Sequence, residues 1–169
     1  MQFSELMTSR YSVRSYRPDP VPQEMLDKVL SAARMAPTAA NRQPFRVIVI
    51  LTAGRENDLA RIYHREWFRQ APLVLCVCGL PAQAWVRRDG WNSYLMDAAI
   101  VMDHMILAAA EQGLGTCWIA NFEPAAAREA FRLPDDVVPA AFTPLGFPND
   151  QPSPKERKPL EELVRYDIW

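Results

Sequence analysis

Arginines alternate with hydroxyl side chains close to the start of the chain. Within residues 9–14 these are Arg10, Tyr11, Ser12 and Arg14. A guanidinium group can bind two anionic oxygens at once, and a hydroxyl group adds a further hydrogen-bond donor. The segment therefore suits a phosphate or another anion. Taken alone, it is more simply explained as a solvated basic turn.

A polar loop of small residues, 36–45, leads straight into an apolar run. Pro37 and Pro44 restrict its backbone. Asn41 and Gln43 carry amides, which both donate and accept hydrogen bonds, as reading the edge of a heterocycle requires. An ordinary loop between a helix and a strand would have the same composition, so this loop alone leaves both interpretations open.

A third candidate segment is basic and lies near the C-terminus, where Lys155, Arg157 and Lys158 precede Pro159. Because short charge runs are usually solvated, this segment by itself indicates an exposed surface. Its composition would also suit one phosphate, so its meaning depends on what the fold places beside it.

Several common catalytic patterns are missing. Gly113 and Gly115 lack the third glycine of a dinucleotide-binding loop and follow a predicted helix rather than a strand. The two histidines, His64 and His104, have no Ser or Cys nucleophile near them in sequence, which leaves a hydrolytic triad unsupported. They also give no zinc-ligand spacing, and we predict no metal site. A chain so poor in catalytic side chains can still be an enzyme if a cofactor carries the chemistry.

Helices and strands alternate along the chain, which predicts one layered α/β or α+β domain over residues 1–169. Predicted helices cover Phe3–Thr8, a segment that starts after Pro22 and stops at Pro37, Arg55 to about Trp67, Trp91–Gln112 and Pro124–Phe131. Predicted strands cover Phe45–Leu51, Leu73–Cys78, Thr116–Ile119 and Val137–Leu145, the last weakened by Pro139 and Pro144.

The longest predicted helix, Trp91–Gln112, is apolar on nearly every face between Ala98 and Ala110. Such a helix must be covered on all sides. A chain of 169 residues offers little material for that cover. We therefore expect a buried central helix that contributes to a subunit interface.

The composition excludes some partners. The net charge of −1 gives no basic excess, so we expect no nucleic-acid partner. No stretch approaches the roughly 18 apolar residues of a membrane-spanning helix, and the first residues lack a signal-peptide pattern. We expect a cytoplasmic protein whose three cysteines, Cys76, Cys78 and Cys117, are reduced and buried.

Read together and in order, these segments resemble the FMN-dependent nitroreductase family, over nearly the whole chain. The family has an N-terminal motif Arg-x-Ser-x-Arg/Lys, matched by Arg10, Ser12 and Arg14, and a motif Pro-Ser/Thr-x-x-Asn-x-Gln-Pro-aromatic, matched by Pro37 to Phe45. In the family an alanine-rich helix then runs into Gly-Leu-Gly-Thr-Cys-Trp-Ile, matched by Gly113 to Ile119. The last motif is Leu-Gly-aromatic-Pro, followed by a basic pair and Pro-Leu-Glu-Glu; Leu145 to Pro148 and Pro159 to Glu162 match it. Two departures are Phe45, often Trp in the family, and Ala39, often Ser.

The resemblance implies a nitroreductase-like α+β fold in three layers: a central, mostly antiparallel mixed sheet is flanked by helices in an intertwined homodimer. It implies FMN at the dimer interface. Its phosphate would be held by Arg10, Ser12 and Arg157 with help from Lys155, and the N1/O2 side of its ring would face Arg14. Tyr11 would also belong to the cofactor-binding residues. The loop residues Pro37, Thr38, Ala39, Asn41 and Gln43 would reach the ring, the first three of them from the other subunit, and the backbone of Trp118, Ile119 and Ala120 would approach N5.

The implied activity is ping-pong transfer of hydride from NADH or NADPH through FMN to a small oxidised acceptor, such as a nitroaromatic or a quinone. A flavin-destroying or dehalogenating enzyme of the same fold is one alternative, and a non-catalytic flavin-binding protein is another. Many relatives carry a longer lid than residues 81–92. Trp85, Arg87, Arg88 and Trp91 in this short stretch are candidates to line the substrate pocket, although packing at a subunit seam explains the tryptophans equally well.

Overall fold

The computed structural model describes residues 2–169; Met1, the first residue of the predicted domain, lies outside the described residues. In chain order the helices and strands are α1 (Phe3–Ser9), α2 (Gln23–Met35), β1 (Phe45–Leu51), α3 (Glu56–Ile62), β2 (Leu73–Gly79), α4 (Tyr94–Glu111), β3 (Gly115–Thr116), α5 (Pro124–Phe131), β4 (Val138–Gly146) and α6 (Leu160–Leu163). Short 3₁₀ turns cover Ala39–Asn41, Glu66–Arg69 and Pro81–Gln83.

The four strands form one sheet in the order β1-β2-β4-β3, with every neighbouring pair antiparallel. β2 is buried on both faces. Its alternate residues point to opposite sides of the sheet, and helices cover each side. Leu75 and Val77 pack with α2 and α4 on one side. Val74 and Cys76 pack with α3 and α5 on the other. The predicted three-layer α+β fold is confirmed.

Local signals account for most element boundaries. α2 begins after Pro22, whose ring suits the first turn of a helix, and ends just before Pro37. β1 coincides with the predicted run Phe45–Leu51. β4 continues through Pro139 because this residue lies at the register shift opposite Val77 and Cys78, where a ladder hydrogen bond is already lost.

Two predicted elements are wrong in extent. The helix predicted to reach Trp67 ends at Ile62, and Tyr63 has an extended backbone with φ −147° and ψ 116°. The ring of Tyr63 instead packs edge-on against Trp67 and Phe68, each at a centroid distance of 5.5 Å. The strand predicted to reach Ile119 stops at Thr116, and Ile119 makes only an isolated bridge to Phe142.

The three cysteines are buried and form no disulfide, in agreement with their predicted role as small apolar residues. Cys76 and Cys78 lie on the same face of β2, with their sulfur atoms 3.6 Å apart. Among residues 2–169 we find no helix with the length and apolarity needed to cross a bilayer. The same residues contain no group of His, Cys, Asp or Glu side chains arranged to hold a metal ion.

Candidate functional site

The arginine segment is held against the sheet by its apolar residues. The Val13 amide donates to the Thr116 carbonyl at 2.9 Å, and Ser12 forms a parallel bridge to the same residue. Tyr16 is buried and its hydroxyl donates to the Val13 carbonyl at 2.9 Å. Val13 is only 1% exposed. Because neighbouring side chains of an extended segment point to opposite sides, Ser12 and Arg14 face away from the core.

The arginine segment and the basic tail meet at one cavity of about 360 Å³, which we call the anion cavity. Its lining consists of Arg10, Tyr11, Ser12, Arg14, Asp150, Gln151, Ser153, Lys155 and Arg157. Burial, together with the neighbouring guanidinium groups of Arg10 and Arg157, lowers the pKa of Lys155. Such crowding of cations creates a local positive potential that favours an anionic ligand.

Asp150 organises the anion cavity, and the sequence interpretation missed it. One carboxylate oxygen accepts the Arg14 amide at 2.7 Å, and the other accepts the Tyr11 hydroxyl at 3.0 Å. Burial, with this hydrogen bond and the charge of Asp150, raises the pKa of Tyr11 to about 12. The one available signal was a lone acid between the Phe147-Pro148 pair and the basic tail.

A second cavity of about 150 Å³ also has Arg14 in its lining, and we call it the ring cavity. Its lining contains the predicted residues Trp118, Ile119 and Ala120, together with Cys117, Asn121, Tyr63, Trp67 and Arg14. Burial raises the pKa of the Cys117 thiol, against the opposing effects of Arg14 and Ser12. Arg14 lines both cavities, so the two are neighbours on either side of this residue.

Backbone groups in the ring cavity are partly committed. The Ile119 amide donates to the Phe142 carbonyl at 2.9 Å, and the Phe142 amide donates to the Ile119 carbonyl at the same distance. Within residues 2–169 the amides of Trp118 and Ala120 have no acceptor. Tyr63 and Trp67 were missed because the predicted helix ran through them; the early end of α3 brings both rings to the cavity wall.

The loop predicted to touch the ring lies apart from both cavities within one chain. Thr38, Ala39, Asn41 and Gln43 line neither the anion cavity nor the ring cavity. The Gln43 amide donates to the Thr38 hydroxyl oxygen at 3.0 Å, and the Gln43 side chain donates to Asn41. The contact of this loop with a flavin of the other subunit stays a prediction.

The short stretch 81–92 begins with a 3₁₀ turn at Pro81–Gln83 and continues into a small hairpin closed by a bridge between Val86 and Asn92. Arg87 pairs with Asp89 at 2.7 Å and lies over the Trp91 ring at 5.1 Å. Of the predicted pocket residues, Trp85, Arg87, Arg88 and Trp91 line neither cavity. Within one chain, this hairpin therefore offers no lid over the site.

A larger cavity of about 800 Å³ lies along β1, between α3 and α5. Its arginines are partly neutralised, since Arg61 forms a two-point ion pair with Glu129 and Arg55 lies 3.8 Å from Asp58. Acidic and basic side chains alternate along this cavity, and Arg132 is its one arginine without an ion pair among residues 2–169. The smaller anion cavity has several such cations and a single acidic side chain.

The three-layer fold and the cavity lined by Arg10, Arg14 and Arg157 define a protein of the nitroreductase class. The chain belongs to the Nitroreductase family, whose model matches residues 7–65 and 60–147. A crystal structure of a nitroreductase family protein from Clostridium difficile 630 is 40% identical, with 100% of each chain covered and a TM-score of 0.93.

Curated relatives agree with this assignment. The FMN reductase (NAD(P)H) of Bacillus subtilis is 29% identical over 180 residues, which span 96% of this chain and 72% of that protein. The NADH dehydrogenase of Thermus thermophilus is 27% identical over 191 residues, spanning 95% of this chain and 92% of that protein. The resemblance to the nitroreductase family is thus confirmed.

Proposed function

We propose that this chain is an FMN-dependent oxidoreductase that takes hydride from NADH or NADPH and delivers it to a small oxidised acceptor, such as a nitroaromatic or a quinone. The observation that carries the proposal is the convergence of Arg10, Ser12 and Arg14 with Lys155 and Arg157 on one cavity. At Arg14 that cavity adjoins a second one, whose lining includes the aromatic residues Tyr63, Trp67 and Trp118. A relative named FMN reductase supports the same cofactor.

The anion cavity has the chemistry of a phosphate site. Arg10 and Arg157 supply planar guanidinium donors, with Ser12 and Lys155 beside them. The Asp150 carboxylate would not repel a phosphate strongly, since both of its oxygens already accept hydrogen bonds from Tyr11 and Arg14. Tyr11 donates its hydroxyl hydrogen to Asp150, so we assign it a supporting role beside the phosphate.

The ring cavity suits the isoalloxazine. When bound there, FMN would supply the hydride chemistry, for which the lining side chains offer no substitute. Arg14 forms no ion pair among residues 2–169, so its guanidinium is available to stabilise negative charge at the N1/O2 side of the ring. The uncommitted amides of Trp118 and Ala120 would face N5.

We further propose that donor and acceptor use one face of the site in turn, which is a ping-pong order. The hairpin at 81–92 lines neither cavity, and Trp118 is 40% exposed at the cavity wall. An open face of this kind can receive NADH or NADPH and, after its departure, the acceptor. We expect the reaction in the cytoplasm, where both nucleotides are available.

A homodimer completes the proposal. α4 buries Val101, Met102 and Met105 against its own chain but leaves Leu95 and Met96 exposed. The C-terminal segment exposes a further set of large apolar side chains: Leu160, Leu163, Val164, Tyr166, Ile168 and Trp169. So many exposed large apolar side chains indicate a surface that needs cover, which a second copy would provide. Light scattering of the FMN-loaded protein tests this, and a monomeric mass would contradict it.

Flavin binding is tested by titrating the protein with FMN and with riboflavin, which lacks the phosphate. Arg157→Ala should weaken FMN about 10- to 100-fold, because hydrogen bonds to charged groups contribute about 1.5–3 kcal/mol each. Riboflavin affinity should change little. Arg132→Ala, an exposed arginine outside the site, is the matched control. Wild-type protein that takes up no FMN would overturn the proposal.

Activity is tested by following NADH and NADPH oxidation by FMN-loaded protein with a nitroaromatic or a quinone. Sustained turnover supports the reductase. Flavin uptake without turnover would instead identify a non-catalytic flavin-binding protein. Loss of the flavin spectrum under turnover, or halide release from a halogenated phenol, would identify a flavin-destroying or dehalogenating enzyme.

A further inference from the structure

A buried carboxylate on α4 holds the loop 37–43 in place. Asp97 is 0% exposed, and one of its oxygens accepts the Ala39 amide at 2.8 Å. The other oxygen accepts the hydroxyl of Ser93, which is also fully buried, at 2.7 Å. Asp97 lines neither the anion cavity nor the ring cavity, so the proposed reaction gives it no direct part.

Burying a carboxylate is costly unless its oxygens are paired. Asp97 forms no ion pair among residues 2–169. Two short charge-assisted hydrogen bonds compensate for part of the cost, and the position of Asp97 in the first turn of α4 adds the favourable end of the helix dipole. The carboxylate thus serves as an acceptor for a backbone amide of a neighbouring loop.

The loop that Asp97 holds is strained. Ala40, Asn41 and Gln43 have φ values of 51°, 53° and 52°, a left-handed conformation that favours glycine. Residues without a glycine's freedom keep such conformations only when the surrounding contacts enforce them. Other hydrogen bonds restrain the loop from within. Thr38 accepts the amides of Asn41 and Gln43, the Ala39 carbonyl accepts the Arg42 amide, and the Gln43 side chain donates to Asn41.

The restraint also decides which donors the loop can offer to a ligand. The Ala39 amide is used by Asp97. The Thr38 hydroxyl oxygen accepts the Gln43 amide and keeps its own hydrogen. Asn41 is exposed and accepts from Gln43 with its side-chain oxygen, so its amide hydrogens remain available. The Thr38 hydroxyl and the Asn41 side-chain amide are therefore free donors of the loop, and they complement the carbonyl and nitrogen acceptors at the edge of a flavin ring.

We propose that Asp97 is a positioning residue for the flavin ring: its bond to the Ala39 amide fixes the strained loop so that Thr38 and Asn41 meet the ring of the flavin held by the partner subunit. This inference rests on the proposed FMN function and dimer. It separates the site into two parts, a phosphate part built by the arginine segment and basic tail, and a ring part that depends on Asp97.

The test compares FMN and riboflavin affinities of Asp97 variants. Asp97→Ala should weaken both ligands by the same factor, about 10- to 100-fold, because a bond to a charged acceptor is lost and the strained loop is released. Asp97→Asn should stay within about threefold of wild type, since its side-chain oxygen can accept the Ala39 amide and its amide can donate to Ser93. Asp136→Ala, an exposed acid after α5, is the control.

The readouts separate positioning from folding. Molecular mass and the urea midpoint are measured for every variant, and the ratio of FMN to riboflavin affinity shows whether the phosphate part is intact. Asp97→Ala is expected to keep that ratio at the wild-type value, whereas Arg157→Ala reduces it. If Asp97→Ala does not fold, Ser93→Ala, which removes only one hydrogen bond, should give a smaller and equally parallel loss.

Three outcomes would overturn the inference: unchanged affinities in Asp97→Ala, a loss confined to FMN, or an Asp97→Asn variant as weak as Asp97→Ala. Unchanged affinities in a folded Ser93→Ala would count against it in the same way. Wild-type protein that binds neither flavin overturns the proposed function itself, so the two failures are distinguishable.

Discussion

Gly115→Ala should destabilise the protein by pushing a side chain against the segment that carries the site arginines. A Cβ atom at Gly115 would lie 2.7 Å from Cγ2 and 2.9 Å from Cβ of Val13. Carbon atoms in contact prefer separations of roughly 3.5–4.0 Å. Val13 cannot easily withdraw, because it is 1% exposed and its amide is bonded to Thr116.

Two effects set the magnitude. Overpacking a filled core costs about 1–3 kcal/mol. Gly115 is outside the left-handed region, so alanine would also recover about 0.4–1 kcal/mol by restricting the unfolded chain. We therefore expect the free energy of unfolding to fall by about 1–2 kcal/mol. Because Ser12 and Arg14 flank Val13, FMN affinity should fall as well.

Urea unfolding of Gly115→Ala, Val13→Ala and the double variant measures this contact. Val13→Ala removes both γ-methyl groups and relieves part of the overlap. The stability loss of the double variant should therefore be smaller than the sum of the two single losses by about 1 kcal/mol, which is within the usual range for coupled neighbouring residues. Gly113→Ala is the control: its φ is +74° and its Cβ meets no atom within 4 Å, so its loss comes from the backbone alone and should add to that of Val13→Ala. The steric argument would be refuted if the stability losses of Gly115→Ala and Val13→Ala were additive in the double variant, or if Gly115→Ala were as stable as wild type.

Asp150→Ala should weaken FMN binding although it removes a negative charge from a cation-lined cavity, because it releases the Arg14 amide and the Tyr11 hydroxyl; tighter binding in a titration would show that charge outweighs positioning. The pKa of Tyr11 is raised to about 12 from about 10 in the unfolded chain, so the stability linked to its neutral form is complete below pH 10 and lost as the pH rises towards 12. Tyr11→Phe should therefore lose less stability than wild type between pH 10 and 12, and an equal fall of the urea midpoint in both proteins over this range would contradict that sign. All three thiols should be unreactive towards a disulfide reagent in the native protein and react on unfolding; a rapidly modified native thiol would argue against their burial.

Local sequence was sufficient for most elements of the fold. β1 was predicted with its observed bounds because residues 45–51 form an unbroken β-favouring run, and α2 is delimited by Pro22 and Pro37. Ordered motifs were also sufficient for the family, since each occupies neighbouring positions in the chain. These features depend on interactions between residues that are close in sequence, so composition and spacing carry them.

The tertiary structure decided how the site is assembled. Arg10 and Arg157 belong to one cavity although most of the chain separates them, and Asp150 acquires its role only because Tyr11 and Arg14 fold against it. Tyr63 enters the ring cavity because aromatic packing ends α3 at Ile62, which overrides the local helical pattern. A side chain's partner across the fold is set by the packing of whole layers, and no pattern of neighbouring residues records it.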